Sequence, residues 1–460
     1  MRREAAALMA DEQGGLWDRV LDLLDRAARQ HHVLALRDGM IAAVPIILVG
    51  SIFLLLGSQG DILDRFFPGL AGAPAGQWYK AHVGEILIPY RLTMGMLALY
   101  VAFTVATALA RQYDLPPVPQ GLGAVAALLL TDVPRRLPLE EGGPPFWMLP
   151  MTLPEGAGFI TPLGPGGLFL AILLAILMVE VSRLLLRPGR KQEAQAPQGG
   201  IPPAVLAAFA SFGPILVVVT LVWWLRYGLD IDLNAALLVV VKPVTDFGDT
   251  LQTVVGANVL LHLFGVAGIH GISLINAVML PIWQNYVAAN AEAHVAGQAL
   301  PYVTAYPFYQ WFVWVGGAGV TLAPNLLLFF SRSPHLRYVG RISLVPALFN
   351  VNEPLLFGLP VVANPLLAIP FILAPVACGT LAYLTIEAGL VNRPFIEVPW
   401  VLPCFLGAPL STQDLSALAL LAANLALSGA IWFPFLKAYE RRLLAAPTPP
   451  SAEAAPAREG

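Results

Sequence analysis

Between Glu353 and Glu387 the chain runs through residues 354–386 without one charged side chain. So long an apolar run belongs in a membrane, where about 20 apolar residues cross the hydrocarbon. It is too long for one simple helix, and Pro354 and Pro360 argue for a broken backbone at its head. Glu353 then lies at or near hydrocarbon depth, where ionisable groups are costly and mark substrate or ion pathways. Broken backbone at that depth is tolerated only where it is buried in protein or lines a cavity. The acid and the break together propose a binding site.

The rest of the chain bears out the membrane premise. Only 12% of the 460 residues are charged and 57% are hydrophobic, against about 25% charged in soluble domains. A formal net charge of -3 implies no basic surface for nucleic acid. The two cysteines, Cys378 and Cys404, sit in apolar surroundings with no metal or redox spacing, so they read as buried small hydrophobes.

Clear spans cover 39–57, 92–110, 156–179, 201–225 and 415–436. The run 258–291 holds a helix plus extra, and 308–330 reads as another span. Segments 120–131 and 233–241 are short for a crossing. Residues 398–413, interrupted by Pro399, Pro403 and Pro409, suit a re-entrant segment better than a straight helix. The fold expected is an all-α polytopic membrane protein with about ten crossings. Basic residues crowd the N-terminus, 183–191, 332–341 and the end after Lys437. An even number of spans places all four in the cytoplasm, both termini included; the pair Arg135 and Arg136 then falls outside. Residues 1–36 read as a cytosolic amphipathic segment and 443–460 as a disordered tail. Residues 187–203 are the best linker candidate, and a second boundary falls near 227–234.

Three polar features stand in apolar surroundings, all in the second half. His270 lies between glycines in Gly268-Ile269-His270-Gly271; taken alone it reads as a satisfied structural histidine. His262 is eight residues earlier, roughly 12 Å along a helix and too far to share a metal ion. Glu353, in Asn350-Val351-Asn352-Glu353-Pro354, can accept hydrogen bonds from two neighbouring sugar hydroxyls. Its alternative is an ion pair with Arg341 or Arg337. Trp400, in Glu397-Val398-Pro399-Trp400, can offer a flat face to a pyranose ring, although alone it reads as an interfacial tryptophan. The aromatics from Tyr302 to Trp314 read as belt and core packing. With no nucleophile–base pair, phosphate-cradling loop or nucleotide motif, the chain looks like a carrier.

At these residues a family resemblance emerges. The block Phe349-Asn350-Val351-Asn352-Glu353-Pro354-Leu355-Leu356-Phe357-Gly358-Leu359-Pro360 resembles the enzyme IIC membrane subunits of the bacterial phosphoenolpyruvate-dependent phosphotransferase system, in the lactose/cellobiose/diacetylchitobiose family. Gly268-Ile269-His270-Gly271, Pro307-Phe308-Tyr309-Gln310-Trp311-Phe312, Val398-Pro399-Trp400 and Gly200-Ile201-Pro202-Pro203 fit it as well. The likeness runs from about residue 30 to about residue 442.

The resemblance implies a homodimer in a bacterial cell membrane, with a dimer-interface half, 37–230, followed by a sugar-transport half, 231–442, carrying two re-entrant hairpins. It implies that Glu353, His270 and Trp400, with Asn352 beside Glu353, contact a β-linked disaccharide. Glu353 would be the catalytic group that orients the sugar 6-hydroxyl. A cytosolic IIB protein bearing a phosphocysteine, charged by a IIA protein, would phosphorylate it; neither Cys378 nor Cys404 sits in a IIB-like context. No cofactor or metal is implied. Two departures bear on the sugar: Gly265-Val266-Ala267 replaces the family's Trp-Phe-Phe, and Val401-Leu402-Pro403-Cys404 replaces Thr-Thr-Pro-Pro. The competing functions are a proton-coupled sugar transporter working through Glu353 and His270, and a membrane sugar sensor without flux.

Overall fold

The computed structural model describes residues 30–60, 68–132, 135–137, 146–148, 163–186, 203–267, 271–361 and 364–445. Residues 1–29 of the amphipathic segment expected over 1–36, residues 187–202 of the linker expected over 187–203, His270, and residues 446–460 of the tail expected over 443–460 lie outside the described residues.

The first half builds a helical group from α1 (His31–Gly57), α2 (Pro74–Ile86), α3 (Leu97–Gln112), α4 (Pro117–Asp132), α5 (Leu168–Leu186) and α6 (Pro203–Trp223). α3 lies at its centre, packed on α1, α4 and α5. Close approach needs small residues there: a Cβ on Gly39 of α1 would come within 2.6 Å of Val105 on α3. α6 instead exposes Phe209, Phe212, Leu216 and Trp223. In water such a face would be a liability, whereas lipid or another subunit covers it without cost.

Between α4 and α5 two short antiparallel strands pair, β1 (Arg135–Leu137) with β2 (Phe146–Met148). Arg135 and Arg136 belong to that hairpin; the other described elements are helical, as the all-α expectation has it.

The second half comprises α7 (Leu233–Gly248), α8 (Leu251–Val266), α9 (Gly271–Val295), α10 (Leu322–Phe329), α11 (Pro334–Leu348), α12 (Glu353–Gly358), α13 (Pro365–Glu387), α14 (Cys404–Thr412) and α15 (Ser416–Ala445). α13 packs on α8 and α15, α10 on α11 and α15, and α9 reaches across to α1. Prolines inside α9, α13 and α15 (Pro281, Pro370, Pro434) are tolerated because neighbouring helices re-satisfy the freed backbone groups.

Among the described residues six helices are long and apolar enough to cross a membrane: His31–Gly57, Met94–Gln112, Pro165–Leu186, Ala208–Gly228, Pro365–Glu387 and Ser416–Ala445. The run 354–386 divides, as expected, into a short helix and a long one. The run 258–291 divides likewise between α8 and α9.

The span expected over 308–330 is overturned. One helical turn (Tyr306–Phe308) passes into a π-helical turn (Tyr309–Val313), then an irregular loop, then α10. Gly316, Gly317 and Gly319 have φ of +78°, +103° and +87°, values open to glycine and incompatible with a continuous helix. The aromatics here are core rather than belt, since Phe308, Tyr309, Trp311 and Phe312 are fully buried.

Candidate functional site

The glycine loop at 314–321 is the hub on which the candidate site is built. A buried loop must find partners for its backbone polar groups, and here side chains from several elements supply them. Asn350 Oδ1 accepts from the Gly316 amide at 3.1 Å, and Asn352 Nδ2 donates to the Ala318 carbonyl at 2.7 Å. His262 Nε2 accepts from the Gly319 amide at 2.8 Å. From α15, Trp432 Nε1 donates to the Gly319 carbonyl at 3.1 Å and Ser428 Oγ to that of Val320 at 3.0 Å.

His262 is thereby assigned one state. Its Nε2 accepts from a backbone N–H, so the ring proton is on Nδ1, which donates to the Asn258 carbonyl at 2.7 Å. The imidazole is neutral and structural. Phe371 of α13 packs edge-on against it at 5.0 Å between ring centroids. The same phenyl ring lies 3.0 Å from where a Cβ on Gly265 would be. Phe371 thus fills the space beside Gly265. Among the described residues no three His, Cys, Asp or Glu side chains gather as a metal site.

Asn350 makes the second connection. Its Nδ2 donates to the Trp400 carbonyl at 2.9 Å and to the Leu402 carbonyl at 3.3 Å. The residue has φ +60°, a conformation asparagine tolerates better than most residues. One amide therefore ties together the glycine loop, the turn before α12 and the segment carrying Trp400.

Glu353 occupies the first turn of α12 beside Pro354, a position that favours both an acid and a proline. It is exposed, and among the described residues no side chain or backbone group bonds to it. The alternative, an ion pair with Arg341 or Arg337, is not formed: Arg337 Nε donates to the Ser331 carbonyl at 2.8 Å, and Arg341 lies over the Phe329 ring. Trp400 is 55% exposed, and among the described residues its indole has no hydrogen-bond partner. Asn352 is 7% exposed and its amide nitrogen is committed to Ala318, so it supports the site more than it faces a ligand.

The segments bearing Glu353 and Trp400 are thus held together by Asn350. The role of Asn350 is not legible in the sequence, because its partners lie 34 to 52 residues away. His262 likewise takes its structural role from a partner far along the chain, Gly319, 57 residues away.

Comparison with known proteins agrees with this architecture. A family model described as "Phosphotransferase system, EIIC" matches residues 37–375. The chain is 32% identical to the lichenan permease IIC component of Bacillus subtilis (strain 168), covering 93% of this chain and 94% of that protein. It is also 32% identical to the cellobiose-specific EIIC component of Geobacillus stearothermophilus, with the same coverage. The crystal structure of ChbC, the IIC component of the N,N'-diacetylchitobiose-specific phosphotransferase system, superposes with a TM-score of 0.80 at 31% identity, over 94% of this chain and 98% of that one.

Proposed function

Because the chain belongs to the phosphotransferase system EIIC family, we propose that it is the sugar-translocating permease of such a system, taking a β-linked disaccharide of the cellobiose or chitobiose type. The observation that carries this reading is the Asn350 clamp, which fixes an exposed tryptophan segment beside an acid without a partner among the described residues. Transporters generally place polar groups of this kind near broken helices at the membrane midplane.

In this reading Trp400 stacks on a pyranose ring, while Glu353 and His270 accept and donate hydrogen bonds to hydroxyls. Asn352 keeps the loop behind Glu353 in place. Glu353 orients the 6-hydroxyl and takes its proton as that oxygen attacks the phosphorus of a phosphocysteine on a IIB protein. The S–P bond breaks, the O–P bond forms, and the thiolate leaves for recharging by a IIA protein. The sugar phosphate is too polar to return.

The same reading takes 37–230 as a homodimer interface and 231–442 as the moving half, with about ten crossings and re-entrant hairpins in a bacterial cell membrane, both termini cytoplasmic. The exposed apolar face of α6 supports a subunit or lipid contact in the first half. Proteoliposomes loaded with phosphorylated IIB of the cellobiose type test the proposal. Uptake of labelled disaccharide as its 6-phosphate is expected; uptake of free sugar that collapses with a protonophore supports proton coupling instead.

A further inference from the structure

The segment that delivers Trp400 crosses the interior without regular structure, and amide side chains hold it. Asn290 Nδ2 donates to the Pro394 carbonyl at 2.9 Å, Gln310 Nε2 approaches that of Val398 at 3.4 Å, and Asn350 takes that of Trp400. The amides of Phe395 and Ile396 both donate to the Ser411 carbonyl, at 3.0 and 3.2 Å. In the middle of this series stands an acid, Glu397, that the function proposed above does not use.

Glu397 is 4% exposed and Gln284 on α9 is 1% exposed. Gln284 Nε2 donates to Glu397 Oε1 at 3.2 Å. The other oxygen of each group, Glu397 Oε2 and Gln284 Oε1, is buried with no partner. Two orphaned acceptors on the two partners of an existing hydrogen bond have a simple joint remedy. One proton on Glu397 Oε2, donated to Gln284 Oε1, closes an acid–amide ring and satisfies both.

The surroundings favour that neutral form. Gln284 approaches from α9, and Tyr306 and Gln310 from the segment after it. Tyr306 is near enough to feel the charge of Glu397, and among the described residues no cation offsets it. Arg393, at the start of the segment, is committed to Glu387 and to the carbonyls of Leu300 and Pro301. Glu397 lies on the connection between α13 and α14, outside the spanning helices. Burial pushes its carboxyl up to about 7, with the Gln284 hydrogen bond opposing.

We propose that Glu397, held as a neutral carboxylic acid in a ring with Gln284, is a positioning residue for the sugar site: it seats the segment that presents Trp400, and its ionisation unseats that segment. The proposal rests on the sugar-binding reading above for its effect on affinity, but the ring itself does not. Its sign follows from the raised carboxyl. The neutral form prevails at low pH, and the seated state is lost as pH rises through about 7.

The test titrates the purified full chain with cellobiose and diacetylchitobiose from about pH 5.5 to about pH 8.5, beside Glu397→Gln, whose amide closes the same ring without a proton. If only the neutral form binds, wild-type affinity falls roughly 30-fold across that range, in proportion to the competent fraction. Glu397→Gln stays near the low-pH wild-type value throughout. Thermal melting without sugar reads the ring independently: the two proteins melt together at low pH, and the variant outlasts wild type at high pH. Parallel pH profiles in melting overturn the inference whether or not sugar binds. Binding of no sugar by wild type at any pH overturns the proposed function instead, and the melting comparison still decides the ring.

Discussion

Asn350 Nδ2 donates to the carbonyl oxygen of Trp400 at 2.9 Å, joining the turn before Glu353 to the segment that presents the exposed indole. With the bonds to Leu402 and Gly316, this one side chain sets the relative position of two groups assigned here to sugar. Replacing this half-buried residue should therefore affect binding as well as stability. Asn350→Ala loses the clamp and also places a Cβ-bearing residue without side-chain hydrogen bonds at φ +60°, whereas Asn350→Gly loses only the clamp. Both should weaken disaccharide binding by roughly tenfold, about 1.4 kcal/mol, measured by titration. In thermal melts the glycine variant should be the more stable by about 1 kcal/mol.

Gly317 sits at φ +103°, and a Cβ there would lie 2.5 Å from Asn352 Cγ. Gly317→Ala should cost at least ~2 kcal/mol, from backbone strain together with displacement of Asn352. Gly297 has φ +65° with nothing within 4 Å of its Cβ position, so Gly297→Ala should cost only about 1 kcal/mol. Paired denaturation curves in one detergent compare the two directly.

The neutral His262 supports the glycine loop through Gly319, and Phe371 packs against its ring. His262→Ala leaves the Gly319 amide without that acceptor and opens a cavity under the phenyl ring. It should destabilise the protein by about 3 kcal/mol. Treatment of the wild type with a chelator should leave melting and sugar binding unchanged. A chelator-sensitive melt would contradict the assigned role of His262.

Much of this architecture is legible from charge and proline alone. The uncharged run after Glu353 proved to be two helices, divided beyond Gly358 as its length and its prolines require. The run 258–291 divided similarly. Hydropathy misled at 308–330, because mean apolarity is blind to backbone conformation. Gly316-Gly317-Ala318-Gly319 is apolar enough for a span, yet it bends through three positive φ values. Those glycines were the available warning. The pair Glu397–Gln284 lay beyond reach for another reason: its members are 113 residues apart, and nothing local to either predicts the other.

Glu353 bears the central claim, and one comparison tests it most directly. Disaccharide titrations of wild type and Glu353→Gln, in the same detergent and with melting temperatures recorded for both, separate binding from folding. The exchange removes the charge while keeping the shape, and charge-assisted hydrogen bonds to hydroxyls are roughly twice as strong as neutral ones. The account predicts that wild type binds cellobiose or diacetylchitobiose, and that Glu353→Gln binds at least about tenfold more weakly with an unchanged melting temperature. Equal affinity in the two proteins, or a loss of binding matched by a loss of folding, would contradict it.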